Sequence, residues 1–251
     1  MQRFNSLNKN ILSDYIVIIP TYNERENAEA IVRKTLSLQP AFDILIVDDN
    51  SPDGTADIIK TLQQEFEWRL HLLERKEKNG LGTAYIAGFK WCLERTYNYI
   101  FEMDADFSHN PEDLPHLLKA CEQDGAGLSI GSRYITGVNV VNWPMSRVIM
   151  SYYASAYVRL ITGLKVRDAT AGFVCYTRKT LETIQLDKIK FKGYAFQIEM
   201  KFKAFLAGIK ITEVPIIFTD RTKGTSKMSK KIFREAFFGV IELKLKSFFR
   251  K

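Results

Sequence analysis

The feature that most constrains this chain is an alternation. Short aliphatic runs alternate with helical stretches through its first half, and each run ends in polar or acidic residues. The runs at 16–19, 44–47, 70–73 and 100–103 have the length and composition of strands buried on both faces. Between them, residues 25–38, 56–66 and 82–94 read as helices. Asn23 and Ser51 stand where helix caps would, and Pro111 after Asn110 opens a further helix. Strand–helix–strand repetition implies right-handed crossovers. The expected fold class is therefore α/β, a mostly parallel, Rossmann-like sheet flanked by helices. Such sheets bind ligands beyond the carboxyl ends of their strands, so the residues there are the ones to read.

Those residues converge on one edge. Asp104 and Asp106, one residue apart on extended backbone, point the same way and can reach one cation. Carboxylate oxygens suit Mg2+ or Mn2+, and such a cation neutralises a diphosphate. Asp48 and Asp49 follow the second run, where a carboxylate takes ribose hydroxyls; Asp49, Ser51 and Asp53 also read as helix caps. The fifth run, 128–131, delivers Arg133. Arg147, Arg221, Lys223 and Lys227 add phosphate-gripping cations, with 223–227 placed to close over a diphosphate. Singly, each of these reads equally as a surface charge, and Arg147 as an ion pair. His109 lies beside the acidic pair, suited to metal or phosphate or to a cap, and His71 in a strand-like run is structural. Gly80 and Gly82 make a turn that lets a helix start near a ligand, or a plain turn.

Several classes are excluded. A dinucleotide site needs G-x-G-x-x-G after the first strand, where this chain has Pro20, Tyr22 and Glu24 instead; a P-loop motif is absent. No nucleophilic triad is evident. No run reaches the ~18 apolar residues of a membrane span, and the polar first 14 residues carry no signal-peptide core. Three widely spaced cysteines, Cys92, Cys121 and Cys175, fit a reducing, cytoplasmic setting.

The second half is less regular. Residues 148–164 and 194–207 read as helices, 173–176 and 211–214 as strands, 220–227 as a polar loop, and a last helix starts at 230. No linker divides the chain, so 1–251 is one expected domain. Residues 221–251 carry ten Lys and Arg against two Glu, a net +8 against a chain total of +7, which leaves −1 for residues 1–220. That asymmetry points to a polyanionic partner. The basic residues of 230–251 are interleaved with Phe, Ile, Leu and Val, which suits an amphipathic helix at a membrane interface or one packed on the core. The aromatic helix at 148–164 is a second candidate contact.

From about residue 15 to 227 the sequence resembles the polyprenol-phosphate (dolichol-phosphate) mannose synthases, inverting glycosyltransferases of GT-A fold. The resemblance rests on ordered segments around Pro20–Asn27, Val47–Thr55, Gly80–Phe89, Met103–Pro111, Gly131–Tyr134, Asn142–Pro144, Gly193–Met200 and Gly224–Lys227. It implies transfer of mannose from GDP-mannose to a polyprenyl phosphate. Pro20, Tyr22, Glu24, Val47 and Asp49 would hold the nucleoside, and Asp104, Ala105 and Asp106 the diphosphate through Mg2+ or Mn2+. Arg133 would face the sugar phosphate, while Arg221 and Lys227 gather the diphosphate. Arg133, Arg147 and Arg221 would receive the acceptor's phosphate. Ser108 stands where some relatives have a metal-binding Gln, which makes it a third metal ligand only in doubt. Many relatives continue into transmembrane helices. Here the basic C-terminal helix, or a membrane-spanning partner subunit, is left to hold the enzyme on the cytoplasmic face of the membrane. Two alternatives stand beside this one: a UDP-glucose donor, and a non-catalytic nucleotide or nucleic-acid binder. The acidic pairs argue against a nucleic-acid partner, because they repel a phosphate backbone.

Overall fold

The computed structural model describes residues 13–193, 195–221 and 230–248. The first half follows the expected alternation: β1 (Tyr15–Thr21), α1 (Arg25–Leu36), β2 (Asp43–Asp48), α2 (Thr55–Glu65), β3 (Leu70–Glu74), α3 (Leu81–Leu93), β4 (Tyr99–Glu102) and α4 (Leu114–Glu122), the last entered through a 3-10 turn at Pro111–Asp113. Then come β5 (Leu128–Ser132), β6 (Val140–Val141), α5 (Met145–Thr162), β7 (Val174–Thr177), α6 (Arg178–Ile184), α7 (Ala195–Leu206), β8 (Ile211–Pro215), β9 (Phe218–Thr219) and α8 (Lys230–Phe248).

Seven strands form one sheet in the order β3-β2-β1-β4-β7-β5-β8. All pairings are parallel except those of β7, which runs antiparallel to both β4 and β5. The sheet is thus mostly parallel, as expected, with one reversed strand at its centre. The chain steps outward from β1 to β3 and then returns to place β4 on the other side of β1, so a ligand crevice opens between the carboxyl ends of β1 and β4.

Ile16–Ile19 and Ile44–Val47 have no exposed surface, because helices cover both faces. Ile16, Ile18, Leu45, Val47 and Ile100 pack with α3, α5, α6, α7 and α8. Val17, Ile19, Ile44, Ile46 and Phe101 pack with α1, α2 and α4.

Asn23 and Ser51 do not cap helices. Asn23 is left-handed (φ 55) and its N–H donates to Ser51 Oγ at 3.0 Å. Asp53 serves instead, accepting from the backbone N–H of Arg25 (3.1 Å) and of Thr55 (3.0 Å), which ties the starts of α1 and α2 together. The glycine turn before α3 meets protein: Gly82 N donates to Lys192 O at 2.8 Å, and a Cβ on Gly82 would lie 2.7 Å from the Phe196 ring. Those glycines serve the packing of α3 on α7.

Candidate active site

Three strand ends meet at the crevice, and each chain turns away from it through a left-handed residue: Asn23 after β1, Asn50 (φ 58) after β2 and Phe107 (φ 59) after β4. Asparagine tolerates that conformation; for Phe107 it costs roughly 1–2 kcal/mol. This strain sits immediately beyond the acidic pair.

Asp48 is committed to the scaffold. It accepts from Thr21 Oγ1 (2.8 Å), Ser51 N (2.8 Å) and Ser51 Oγ (2.7 Å), all from the loops that line the crevice. Asp49, also buried, is ion-paired with Arg75 Nη1 at 2.8 Å, and Arg75 donates in turn to Thr83 Oγ1. Burial pushes the Asp49 carboxyl up, against the pull of Arg75. Pro20 and Val47 are register partners on β1 and β2. The Tyr22 ring lies under the Lys78 ammonium at 4.1 Å, and Glu24 Oε2 accepts from Asn27 Nδ2 at 3.1 Å. The Asp49 N–H donates to Thr21 O at 3.0 Å, which joins the ends of β1 and β2.

Asp104 lines a cavity of about 370 Å³. Its backbone N–H donates to His109 Nδ1 (3.2 Å), so that nitrogen carries no proton. Burial between Phe173, stacked at 4.9 Å, and Phe218 pushes His109 down to about 4 and keeps it neutral. His109 thus shapes the acidic loop from within and is neither a surface residue nor a helix cap. Ala105 turns into the core. Asp106 is buried, accepts from Ser108 N at 3.0 Å, and pairs with Arg221 Nη2 at 3.0 Å. Burial works to raise its carboxyl, but Ser108 and the Arg221 charge outweigh that and hold it below the usual range.

The other arginines are paired as well. Arg133 grips Asp168 through Nε and Nη2 (2.7 Å each) and donates to Thr170 Oγ1 at 2.9 Å, a bidentate geometry with Asp168 fully buried. The rings of Trp143 and Phe218 flank its guanidinium at 5.5 and 5.6 Å. Arg133 is thus held in place by the protein while it lines the cavity. Arg147 lies over Trp143 at 4.0 Å and pairs with Asp220 at 2.9 Å, as its ion-pair reading anticipated. Asp220 also accepts from Arg221 N. Arg133, Arg147 and Asp104 line the same cavity, together with apolar side chains: Met150, Ala154, Val158, Ile198, Phe237 and Val240. Lys223 and Lys227 lie outside the described residues.

Sequence reasoning missed Asp168, Asp220 and a buried group formed by Glu102, Gln197 and Lys201. The last left a signal: Glu102 ends an apolar run, and Lys201 interrupts the apolar face of a helix.

For a cation, the fit rests on the donor set. Asp104 and Asp106 supply two carboxylates, and Ser108 is buried beside them. Among the described residues no group of three His, Cys, Asp or Glu forms a cage. Two carboxylates suffice for a Mg2+ or Mn2+ whose remaining ligands come from phosphates and water.

Similarity to known proteins agrees with this arrangement. The chain belongs to glycosyl transferase family 2, matching it over residues 16–185, and so to a family of sugar-transferring enzymes. It is 48% identical over 227 residues to the polyprenol monophosphomannose synthase of Mycolicibacterium smegmatis, covering 90% of this chain and 85% of that one. It is also 48% identical over 225 residues to the undecaprenyl-phosphate mannosyltransferase of Micrococcus luteus, covering 90% and 91%. A mannosyltransferase from Pyrobaculum calidifontis in complex with GDP-Man and Mn2+ shares the fold, with a TM-score of 0.60 at 15% identity over 95% of this chain and 64% of that one. Glucosyl-3-phosphoglycerate synthase from Mycobacterium tuberculosis, with Mn2+, UDP and glucosyl-3-phosphoglycerate, gives 0.64 at 16% identity over 92% and 78%.

Proposed function

We propose that this chain transfers mannose from GDP-mannose to a polyprenyl phosphate with inversion at the anomeric carbon. One observation carries the reading: a single cavity is lined by Asp104, by Arg133 and Arg147, and by apolar side chains of α5 and α8. A diphosphate, a phosphate and a hydrocarbon tail would each meet matching chemistry there. The names of the two 48% identical relatives supply the sugar and the lipid class.

Pro20, Tyr22, Glu24, Val47 and Asp49 would hold the nucleoside at the ends of β1 and β2. Asp104 and Asp106, with Ser108 behind them, would hold Mg2+ or Mn2+, which supplies Lewis-acid neutralisation of the leaving diphosphate. Arg221, already beside Asp106, and Lys227 would gather the diphosphate. Arg147, half-exposed on the cavity wall, would take the acceptor phosphate, with Arg133 as the rigid floor under it. A phosphate oxygen is ionised at neutral pH. It can attack without a general base, which matches a His109 that is buried, neutral and turned to the backbone. Positioning and charge then carry the rate.

Access to the lipid comes from α5 and α8. Their outer faces expose Met145, Ile149, Tyr153 and Leu160 on one helix and Phe238, Leu245 and Phe248 on the other. Tyr157 stacks on Phe237 at 4.8 Å to join them. No helix among the described residues is long and apolar enough to cross a membrane. The helix pair would therefore lie on the lipid surface, on the cytoplasmic side where its three free cysteines stay reduced. The test is to incubate the protein with a polyprenyl phosphate, Mg2+ and radiolabelled GDP-mannose, with UDP-glucose in parallel, and count label in the organic phase. Label from GDP-mannose alone supports the reading; label from UDP-glucose alone replaces the donor; label from neither overturns it.

A further inference from the structure

The first eight residues of α7, Ala195 to Phe202, are all buried, and three of them are polar: Gln197, Glu199 and Lys201. Glu199 has a local use, accepting from the backbone N–H groups of Lys190 (2.8 Å) and Phe191 (3.0 Å) in the loop before the helix. Gln197 and Lys201 do something else. They lie four apart on one helix face. Gln197 Nε2 donates to Glu102 Oε2 at 2.6 Å. Lys201 Nζ donates to Gln197 Oε1 (3.2 Å), Gln197 O (3.2 Å) and Ala171 O (2.7 Å).

The two ends of this chain of bonds matter. Glu102 is the last residue of β4, two before Asp104. Ala171 follows Thr170, which together with Asp168 holds Arg133. A continuous path therefore links the strand that carries the acidic pair to the Arg133 guanidinium, and Gln197 lines the same cavity as Asp104 and Arg133. Burying an ammonium and a carboxyl costs several kcal/mol each, and an apolar helix face of equal volume would pack there at lower cost. The bridge therefore has little value as a source of stability.

We propose that Gln197 and Lys201 are positioning residues that fix the spacing between the acidic end of β4 and the Arg133 platform. Resting on the transfer reading above, this is the spacing between leaving diphosphate and attacking phosphate. Misplacement of reacting groups by about 1 Å costs about 100-fold in rate while leaving the binding of each half intact.

The experiment uses the full chain and the mannose-transfer assay, with GDP affinity in Mn2+ and the melting temperature measured alongside. Gln197→Leu is expected to lower kcat about 100-fold, with GDP affinity and acceptor KM changed less than about threefold. Gln197→Glu keeps the volume and the acceptor for Lys201 but sets a second carboxyl against Glu102. It is expected to lose a similar factor and to regain most of it on adding Glu102→Gln, which restores the bond with donor and acceptor exchanged. This series also answers the question if Gln197→Leu proves too unstable to assay. A lower melting temperature with kcat within threefold of the parent in both single variants makes the bridge merely structural and overturns the proposal. Failure of the swap to recover activity overturns it too. An inactive parent chain is a different result, for it removes the transfer reading itself.

Discussion

The two sides of the cavity are built differently. On the acidic side, at the ends of β1, β2 and β4, part of the bonding that shapes the site is short in sequence, part joins adjacent loops 26–28 residues apart, and Arg221 reaches Asp106 from afar. Ser51 reaches Asp48 three residues away, Ser108 reaches Asp106 two away, and Asp104 reaches His109 five away. On the basic side the bonds are long. Arg133 finds Asp168 across 35 residues, Arg147 finds Asp220 across 73, and Gln197 finds Glu102 across 95. The acidic side is thus a set of adjoining loops on a parallel sheet that bond within themselves and to one another, with Arg221 added from a distance. The basic side exists only once α5, β7, α7 and β9 have assembled. A substitution on the first side should remove chemistry and spare the fold, whereas one on the second should damage both.

Asp104→Ala is the sharpest test of the first half of that statement and carries the largest expected effect. With its carboxylate half-exposed in the cavity, the fold should hold, with a melting temperature within a few degrees of the parent. Loss of the cation site should cost on the order of 1,000-fold in kcat. Activity within tenfold of the parent would remove Asp104 from the metal site. Arg133→Met tests the second half. It leaves Asp168 buried without its counter-charge, and breaking such a pair costs about 3–5 kcal/mol. Urea unfolding should show that loss together with a fall in activity. A fully stable but inactive variant would mean that the basic side is as modular as the acidic one.

The same contrast explains what was legible in the sequence. β1 to β4 and their helices could be read because each has its own period, and a parallel sheet buried on both faces turns strands into plain aliphatic runs. The acidic residues followed by position, since strand ends are where such sheets bind. The reversed β7 was not legible, because its run, read at 173–176, carries no sign of direction. Nor were the two-residue strands β6 and β9, whose pairing brings Trp143 and Arg147 to Asp220. The arginines were found from their type, yet their partners Asp168 and Asp220 were not, because an ion pair over tens of residues has no local pattern. Sequence reading also mistook Asn23 and Ser51 for caps: it saw suitable side chains at helix starts but not that the two loops would bond each other.

Asp43 refines the comparison from within the acidic half. It begins β2, the strand that ends in Asp48, but its partners come from a distance: Tyr97 OH at 3.1 Å across 54 residues, and Arg69 Nε at 3.6 Å. They compensate poorly. Burial pushes its carboxyl from 3.8 to about 6 despite both. A carboxyl raised on folding contributes stability that is complete below its unfolded value and lost as pH rises through the folded one. The parent should therefore lose about 3 kcal/mol relative to Asp43→Asn between pH 4 and pH 7, at 1.36 kcal/mol per unit. Urea midpoints of the two proteins across that range measure it. A constant difference would mean that Tyr97 and Arg69 fully offset the burial of Asp43.

The smallest effect belongs to the outer rim of the basic side, where the proposal needs a lipid surface rather than a partner residue. Phe238 is 61% exposed on α8 and touches Phe237 at 5.4 Å. Nothing in the fold is lost by making it polar, so Phe238→Ser should leave the melting temperature unchanged. If the ring enters a lipid interface, withdrawing it removes about 1–2 kcal/mol of apolar burial, which corresponds to roughly a tenfold weaker partition. Sedimentation with vesicles of anionic phospholipid reads this directly, and the loss should persist in high salt, which screens the basic residues of the C-terminal segment but not apolar contact. In detergent solution with a short-chain polyprenyl phosphate the variant should transfer sugar at the parent's rate. Equal vesicle binding by parent and variant would detach α8 from the lipid surface and leave the apolar lining of the cavity to the acceptor alone.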